Sequence, residues 1–344
     1  MDDVEMGRPT VVRRLSETPL SVLDTSQIVS GSTAREALRN TLDLAQLADR
    51  LGYHRYWVAE HHSMRGVASA APAVIVAELA AATSRLRVGA GGVMLPNHAP
   101  LVVAEQFGTL EAFHPGRIDL GIGRAGGGSR RAADAVRAES ERTARSYEAQ
   151  IDELLRYLAP HPDQPLRAVP AEGNTPTVWL LGSSDRSGKL AGALGLPYAF
   201  ARHLNPGAMD AALAAYRDAF QPSSRLKQPK VLVSVTVIAA DTDEHARWLA
   251  GPSKRKILGR LLGQRILLPP PDEAAAYPYT EEDRAAIDAQ FADVLIGSPA
   301  TVADGLRALL QDSGADELMI KTDVYDQADR RRCLELVAEL AAAS

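Results

Sequence analysis

Short apolar runs alternate with longer amphipathic ones along almost the whole chain, and this rhythm restricts the fold more than any single motif does. Runs with the composition of buried strands occur at Pro19–Asp24, Arg55–Glu60, Leu86–Gly91, Arg117–Gly123, Thr177–Gly182, Pro197–Ala201, Lys230–Ala239 and Glu317–Lys321. Helical patterns separate and follow them at Thr33–Leu51, Ala70–Thr83, Val102–Phe113, Ser140–Leu158, Ser184–Leu194, Ala208–Phe220, Glu244–Ala250 (with some continuation), Thr301–Gln311 and Ala328–Ala342. Eight strands, each leading into a helix, predict a (β/α)8 TIM barrel. A doubly wound open sheet is the runner-up and would more typically use about five to seven strands. Ser32 and Thr33 leading into Glu36 mark a helix start. Gly52, Gly195 and Gly314 stand where helices end before a strand, a position that favours glycine.

One stretch breaks the rhythm. Gly251–Thr280 holds Lys254-Arg255-Lys256 and Pro269-Pro270-Pro271 and is long for a connection between strand and helix. It reads as a surface excursion or as a lid over the barrel mouth, and a further amphipathic run, Glu281–Ala292, follows it.

Composition narrows the classes of function. A net charge of −5 supplies no global field for nucleic acid or an anionic membrane. The single cysteine, Cys333, excludes an internal disulfide framework and lies in a helical pattern, where it reads as a small core residue. No apolar stretch reaches the roughly 18 residues of a spanning helix. Residues 1–18 are polar and charged, without a signal-peptide core. The expectation is a soluble cytoplasmic protein with a flexible tail over 1–18 and one domain over 19–344.

A TIM barrel carries its chemistry at the C-terminal ends of its strands. Asp24 ends the first strand, Glu60-His61-His62 the second, Gly91-Gly92 the third, Gly123-Arg124 the fourth and Gly182-Ser183-Ser184 the fifth, with His203 just past the sixth. The N-terminal ends offer Pro, Arg and Lys that read as ordinary surface residues. Trp57-Val58-Ala59-Glu60-His61-His62 stands out, because a buried run has no structural need for three titratable groups at its exit. Adjacent strand residues point to opposite faces, so the two histidines cannot easily share one ion. With no H-E-x-x-H and no second pair at ligand spacing, no metal site is expected. One histidine facing the mouth as acid, base or hydrogen-bond donor fits better.

Gly121-Ile122-Gly123-Arg124-Ala125-Gly126 spells the dinucleotide fingerprint, yet Gly127-Gly128-Ser129-Arg130-Arg131 prolongs the loop where a helix is required. Arg124 at a strand exit can instead hold phosphate bidentately. Gly182-Ser183-Ser184-Asp185-Arg186-Ser187 opens a helix whose first-turn amides can receive phosphate, with the Ser184 and Ser187 hydroxyls adding donors. An ordinary serine cap would look the same. Gly89-Ala90-Gly91-Gly92 lets something flat or bulky approach the backbone. Asn97 and His98, in the turn that follows, line the mouth or cap the next helix.

Six pieces in order carry a resemblance: WVAEHHS at 57–63, GAGGVMLPNHAPLVVAEQF at 89–107, HPGRIDLGIGRAG at 114–126, WLLGSSDRSGKLAGALGLPYAFA at 179–201, DTDEHARWLAGPS at 241–253 and ADELMI at 315–320. From about residue 19 to the C terminus the chain resembles the bacterial luciferase-like flavin-dependent monooxygenases, and looks closest to their single-chain actinobacterial branch. The resemblance implies a (β/α)8 barrel with reduced FMN across its mouth. Arg124 would grip the flavin phosphate with Gly182, Ser184, Ser187 and the Ser183 amide. Gly91-Gly92, a pair often joined by a non-proline cis peptide, would lie beside the isoalloxazine. His61 matches the catalytic histidine, preceded by the family carboxylate Glu60. Gly123 replaces the luciferase cysteine, and Ala125-Gly126-Gly127-Gly128 departs from the commoner APGT. The 251–280 segment corresponds to the family's mobile lid.

The activity so implied is oxygenation of a small organic substrate by dioxygen and reduced FMN through a C4a-peroxyflavin. A separate flavin reductase would supply the reduced flavin. Hydride transfer with the deazaflavin coenzyme is the alternative, and a non-catalytic flavin-binding protein is the second. The family also implies a homodimer through Ala70–Thr83 and Val102–Phe113. The first of these has an alanine face at Ala70, Ala73, Ala77, Ala80 and Ala81.

Overall fold

In the computed structural model, which describes residues 14–125, 128–136, 145–159 and 163–343, nine parallel strands form one sheet. They are β1 (Leu20–Asp24), β2 (Arg55–Val58), β3 (Arg87–Met94), β4 (Ile118–Gly123), β5 (Thr177–Gly182), β6 (Tyr198–Phe200), β7 (Val231–Ala239), β8 (Leu295–Gly297) and β9 (Glu317–Lys321). The order β6-β5-β4-β3-β2-β1-β9-β7 closes on itself where β6 pairs with β7. Eight strands with helices between them therefore make a (β/α)8 barrel, and they are the eight expected from sequence.

The ninth strand was not expected. The first part of β7 pairs with β6 and β9, while its end, Val237–Ala239, outruns the barrel and takes up β8. Three residues are too few for a periodicity to register. The helix read over Glu244–Ala250 with some continuation runs unbroken from Asp243 to Leu261, with Pro252 inside it. Proline removes one amide from the ladder without stopping the helix here. Short helices follow at Pro271–Ala276 and Glu281–Phe291. Within the expected excursion only 262–270 and 277–280 lie outside helices.

Helix ends follow local chemistry. The Thr33 hydroxyl accepts from the Glu36 amide while the Glu36 carboxylate accepts from the Thr33 amide. Gly52, Gly195 and Gly314 adopt left-handed φ values of 80°, 59° and 55°, which side chains with a Cβ rarely take up. The pattern read over Ser140–Leu158 is a helix at Tyr147–Tyr157 capped by Ser146, and residues 137–144 lie outside those described. Of the 1–18 tail, residues 1–13 also lie outside them; Leu15–Glu17 makes a 3-10 turn that buries Leu15.

Side chains alternate across each strand. On β2 and its exit, Trp57, Ala59 and His61 line the barrel mouth, and Tyr56 and Val58 join the outer core against the helices. The barrel floor corrects the reading of the N-terminal ends as ordinary surface. Arg55 is fully buried and donates to Glu317 at 2.5 and 3.0 Å and to Asp119 at 2.6 Å. The Trp57 indole also donates to Asp119, at 3.0 Å. Removing one partner would leave a buried charge uncompensated, at a cost of ~3–5 kcal/mol. Above this layer Trp57 and Trp179 pack edge to face, 5.6 Å apart, with Leu23, Leu232 and Met319. The floor is therefore filled with side chains.

Candidate active site

A cavity of about 1240 Å³ occupies the C-terminal end of the barrel. Ordinary small-molecule pockets hold ~300–1,000 Å³, so this one has room for a cofactor and a substrate together. His61, Gly91, Gly92, Arg124, Gly182, Ser183, Ser184 and Ser187 all line it. Gly123 and His203 line it as well, whereas Asp24, Glu60 and His62, also noted at strand exits, do not. Asp24 is buried behind β1, where it accepts from Thr41 at 2.6 Å, Tyr56 at 2.7 Å and Arg330 at 3.0 Å.

The β2 exit divides its three titratable groups by alternation. His61 faces the cavity, and its Nδ1 is buried without a partner. Burial, with help from nearby Lys321, holds the imidazole below its ordinary value and so neutral near pH 7. Glu60 turns the other way and is fully buried. It accepts from His62 Nε2 at 2.8 Å, His98 Nε2 at 2.9 Å, the Met94 amide at 2.9 Å and Asn97 Nδ2 at 3.2 Å. Burial would raise this carboxyl, but the bonds and charge of His98, then His62 and the Met94 amide, overcome it and hold Glu60 at about 2. Glu60 therefore ties the β2 exit to the β3 exit without touching the cavity. His62, Asn97 and His98 find their place as its donors.

The neighbouring β3 supplies a wall of bare backbone, with Gly91-Gly92 joined by a cis peptide. A Cβ on Gly91 would stand 2.7 Å from the Trp57 ring, and one on Gly92 would stand 2.7 Å from the Gly121 carbonyl oxygen. Neither position accepts a side chain, so a flat ligand can lie against the chain itself.

Arg124 follows β4, and Ser183-Ser184 follows β5, the next strand of the sheet. Arg124 is exposed. Beside it the Tyr147 hydroxyl is buried without a partner, and burial raises its pKa well above the ordinary value. Ser184 caps the helix Asp185–Ala193, where Ser187 completes a capping box. Ser187 Oγ donates to the Ser184 carbonyl at 2.6 Å and lies 2.9 Å from the Tyr198 hydroxyl. The two serines are thus not equivalent. Ser187 Oγ gives its proton to the Ser184 carbonyl inside the cap, whereas Ser184 Oγ accepts the Ser187 amide at 3.4 Å and has a longer contact of 3.3 Å with Ser187 Oγ, which a better acceptor could replace.

The far side of the cavity carries Lys321, Asp323 and Lys256, to which the sequence assigns no role, and His203, which it places just past the sixth strand. Lys321 and Asp323, at the β9 exit, form an ion pair. Lys256 reaches the cavity from the helix Asp243–Leu261. His203 Nδ1 lies 2.6 Å from Ser234 Oγ, and burial followed by Lys321 pushes its pKa down to about 3. Lys321 closes an expected strand and could have been noticed there. Lys256 sat in a run of cations that resembles any solvated helix face.

Comparison with known proteins identifies the family. The model of the luciferase-like monooxygenases matches residues 18–317. The chain belongs to the luciferase-like monooxygenase family. A luciferase-like monooxygenase of Escherichia coli K12 is 42% identical over 321 residues, covering 93% of this chain and 96% of that protein. The crystal structure of apo-MsnO8 superposes with a TM-score of 0.90 at 37% identity, covering 96% of this chain and 99% of that one. The oxygenating constituent of 3,6-diketocamphane monooxygenase from Pseudomonas putida, solved in complex with FMN, shares the fold with a TM-score of 0.71 at 22% identity, covering 94% and 98%. The mouth of this luciferase-like barrel is accordingly the candidate active site of an oxygenase.

Proposed function

We infer that this chain is an FMN-dependent monooxygenase acting on a small organic substrate. The observation that carries the reading is the order of groups around the mouth: His61 after β2, Gly91-Gly92 in β3, Arg124 after β4 and Ser184 after β5, all lining one cavity. A phosphate would take Arg124, the Ser184 hydroxyl, the first-turn amides of Asp185–Ala193 and the orphaned Tyr147 hydroxyl. A flat ring would lie against Gly91-Gly92 and bring its edge to the unpartnered His61 Nδ1. The diketocamphane enzyme's complex with FMN supports the same choice of cofactor.

Bound reduced flavin would supply the electrons with which dioxygen is split, one oxygen atom entering the substrate and the other leaving as water. His61, neutral near pH 7, accepts or donates a proton at the reacting edge. Glu60 acts at one remove, fixing the strand exits that carry His61 and the glycine pair. The segment over 251–280 works as a lid, since Ser253, Lys256 and Ile266 face the cavity and exclude water from it. Reduced flavin comes from a separate reductase. Val74, Val102 and Phe113, exposed on the helices Pro72–Ala82 and Pro100–Phe113, are the surface for a homodimer. The alanine face splits there: Ala80 packs inside the subunit, while Ala77 and Ala81 face outward.

The test is binding and coupling together. Arg124→Ala should weaken FMN about 100-fold, the loss of a charge-assisted pair, while riboflavin, which lacks the phosphate, binds that variant as it binds the parent. With chemically reduced FMN, His61→Ala should consume oxygen but release it as peroxide. Full coupled turnover in that variant refutes the role of His61, and preferential binding of the deazaflavin coenzyme would replace FMN with hydride-transfer chemistry.

A further inference from the structure

The lining of the cavity is lopsided in charge. Eight Lys and Arg side chains face it but only three carboxylates, Glu148, Asp293 and Asp323, among the described residues, although the chain as a whole is acidic. Each carboxylate already has a cation: Arg186 at 3.0 Å from Glu148, Arg202 at 2.6 Å from Asp293, and Lys321 on Asp323. Arg124 belongs to the phosphate end. Of the cations left over, Arg65, Arg260 and Arg265 are exposed on the rim, and only Lys256 is partly withdrawn from water.

Lys256 leans over the turn that follows the β2 exit. A Cβ built on Gly66 would stand 3.7 Å from its Nζ. Among the described residues no carboxylate lies within ion-pair distance of it, and Asp323, the nearest in effect, is engaged by Lys321. A second and independent observation comes from Gln27. Its backbone pairs with Val67 in the same turn, its side chain is only 5% exposed, and it lines the cavity. Both atoms of its amide are buried without a hydrogen-bond partner. A buried amide left unpaired is destabilising unless a ligand satisfies it. His61 and His203 are neutral near pH 7 and do not add to or offset the charge on this side.

The geometry points to a carboxylate-bearing organic substrate, its anionic end received by the Lys256 ammonium and the Gln27 amide, and its oxidisable end directed toward His61. An ammonium gives the charge, and the Gln27 Nε2–H gives a directed bond that a water-filled rim could not. The proposal rests on the reading of this cavity as the oxygenase site.

Calorimetry with matched pairs of acid and amide tests it without knowledge of the true substrate. Hexanoate with hexanamide and phenylacetate with phenylacetamide would be titrated into the full chain at pH 7 and 150 mM NaCl. The acid of at least one pair should bind at least tenfold tighter than its amide. Lys256→Met should abolish that preference, Lys256→Arg should restore part of it, and Gln27→Leu should reduce it several-fold. FMN affinity should stay at the parent value in Lys256→Met, which also verifies that the variant is folded. Equal binding of acid and amide in every pair, no binding of any probe, or a preference that survives Lys256→Met each overturns the proposal. So does a preference that disappears on raising the salt, because that is the behaviour of the rim arginines. Loss of FMN binding by the parent, with the acid preference intact, would instead overturn the cofactor and leave the carboxylate site standing.

Discussion

Replacing Glu60 by Gln keeps the shape of the side chain and removes its charge, and the consequences can be worked out bond by bond. Oε1 accepts from His62, Asn97 and His98, while Oε2 accepts from the Met94 amide and His98. A glutamine does best by putting its oxygen at the first position, which sets its NH2 against the Met94 N–H. That leaves a buried amide unsatisfied and turns the three charge-assisted bonds at the first position into neutral ones, a loss of ~2–4 kcal/mol. The same network sets a pH dependence. Glu60 is held at about 2 in the fold against an ordinary 4.5. Its stabilisation is therefore complete above about 4.5 and is lost as the pH falls toward 2, a span worth ~3 kcal/mol. Urea unfolding of the parent and of Glu60→Gln, followed between pH 7 and pH 3, measures both quantities. The variant should be weaker by ~2–4 kcal/mol at pH 7, with the gap narrowing below pH 4.5. A variant within ~0.5 kcal/mol of the parent at pH 7, or a gap constant across the series, refutes the account.

Two further outcomes follow from the same geometry. Gly92→Ala should lower stability by ~1–3 kcal/mol and weaken FMN, because its Cβ meets the backbone oxygen of Gly121. Gly123→Ala is the control, since its Cβ finds only the Met94 side chain at 3.4 Å, and paired thermal melts with flavin titrations separate the two. His203, pushed down to about 3 from an ordinary 6.5, stays neutral in the fold while the unfolded chain takes up a proton. Stability should therefore fall as the pH drops below 6.5, by up to ~1.4 kcal/mol per pH unit, and His203→Gln should flatten that limb in acid-unfolding curves.

The sequence alone determined the barrel, the eight strands and the line of groups at their C-terminal ends, because each rests on local signals: apolar runs, caps, terminal glycines and an alternation of two. That alternation also foretold that His61 and His62 would part company. Only the pairing of β2 with β3 decided where Glu60 goes, since its donors His98 and Asn97 come from the exit of another strand. The same holds for Arg55, which meets Asp119 and Glu317 across 64 and 262 residues of chain. The convergence of Gln27, Lys256 and Lys321 on one side of the mouth is likewise invisible in their separate neighbourhoods. Strand propensity and side-chain period act over a few residues and can be read in order. Which buried charges meet depends on how strands far apart in sequence are brought side by side, and that is settled only when β6 pairs with β7 and β9 with β1.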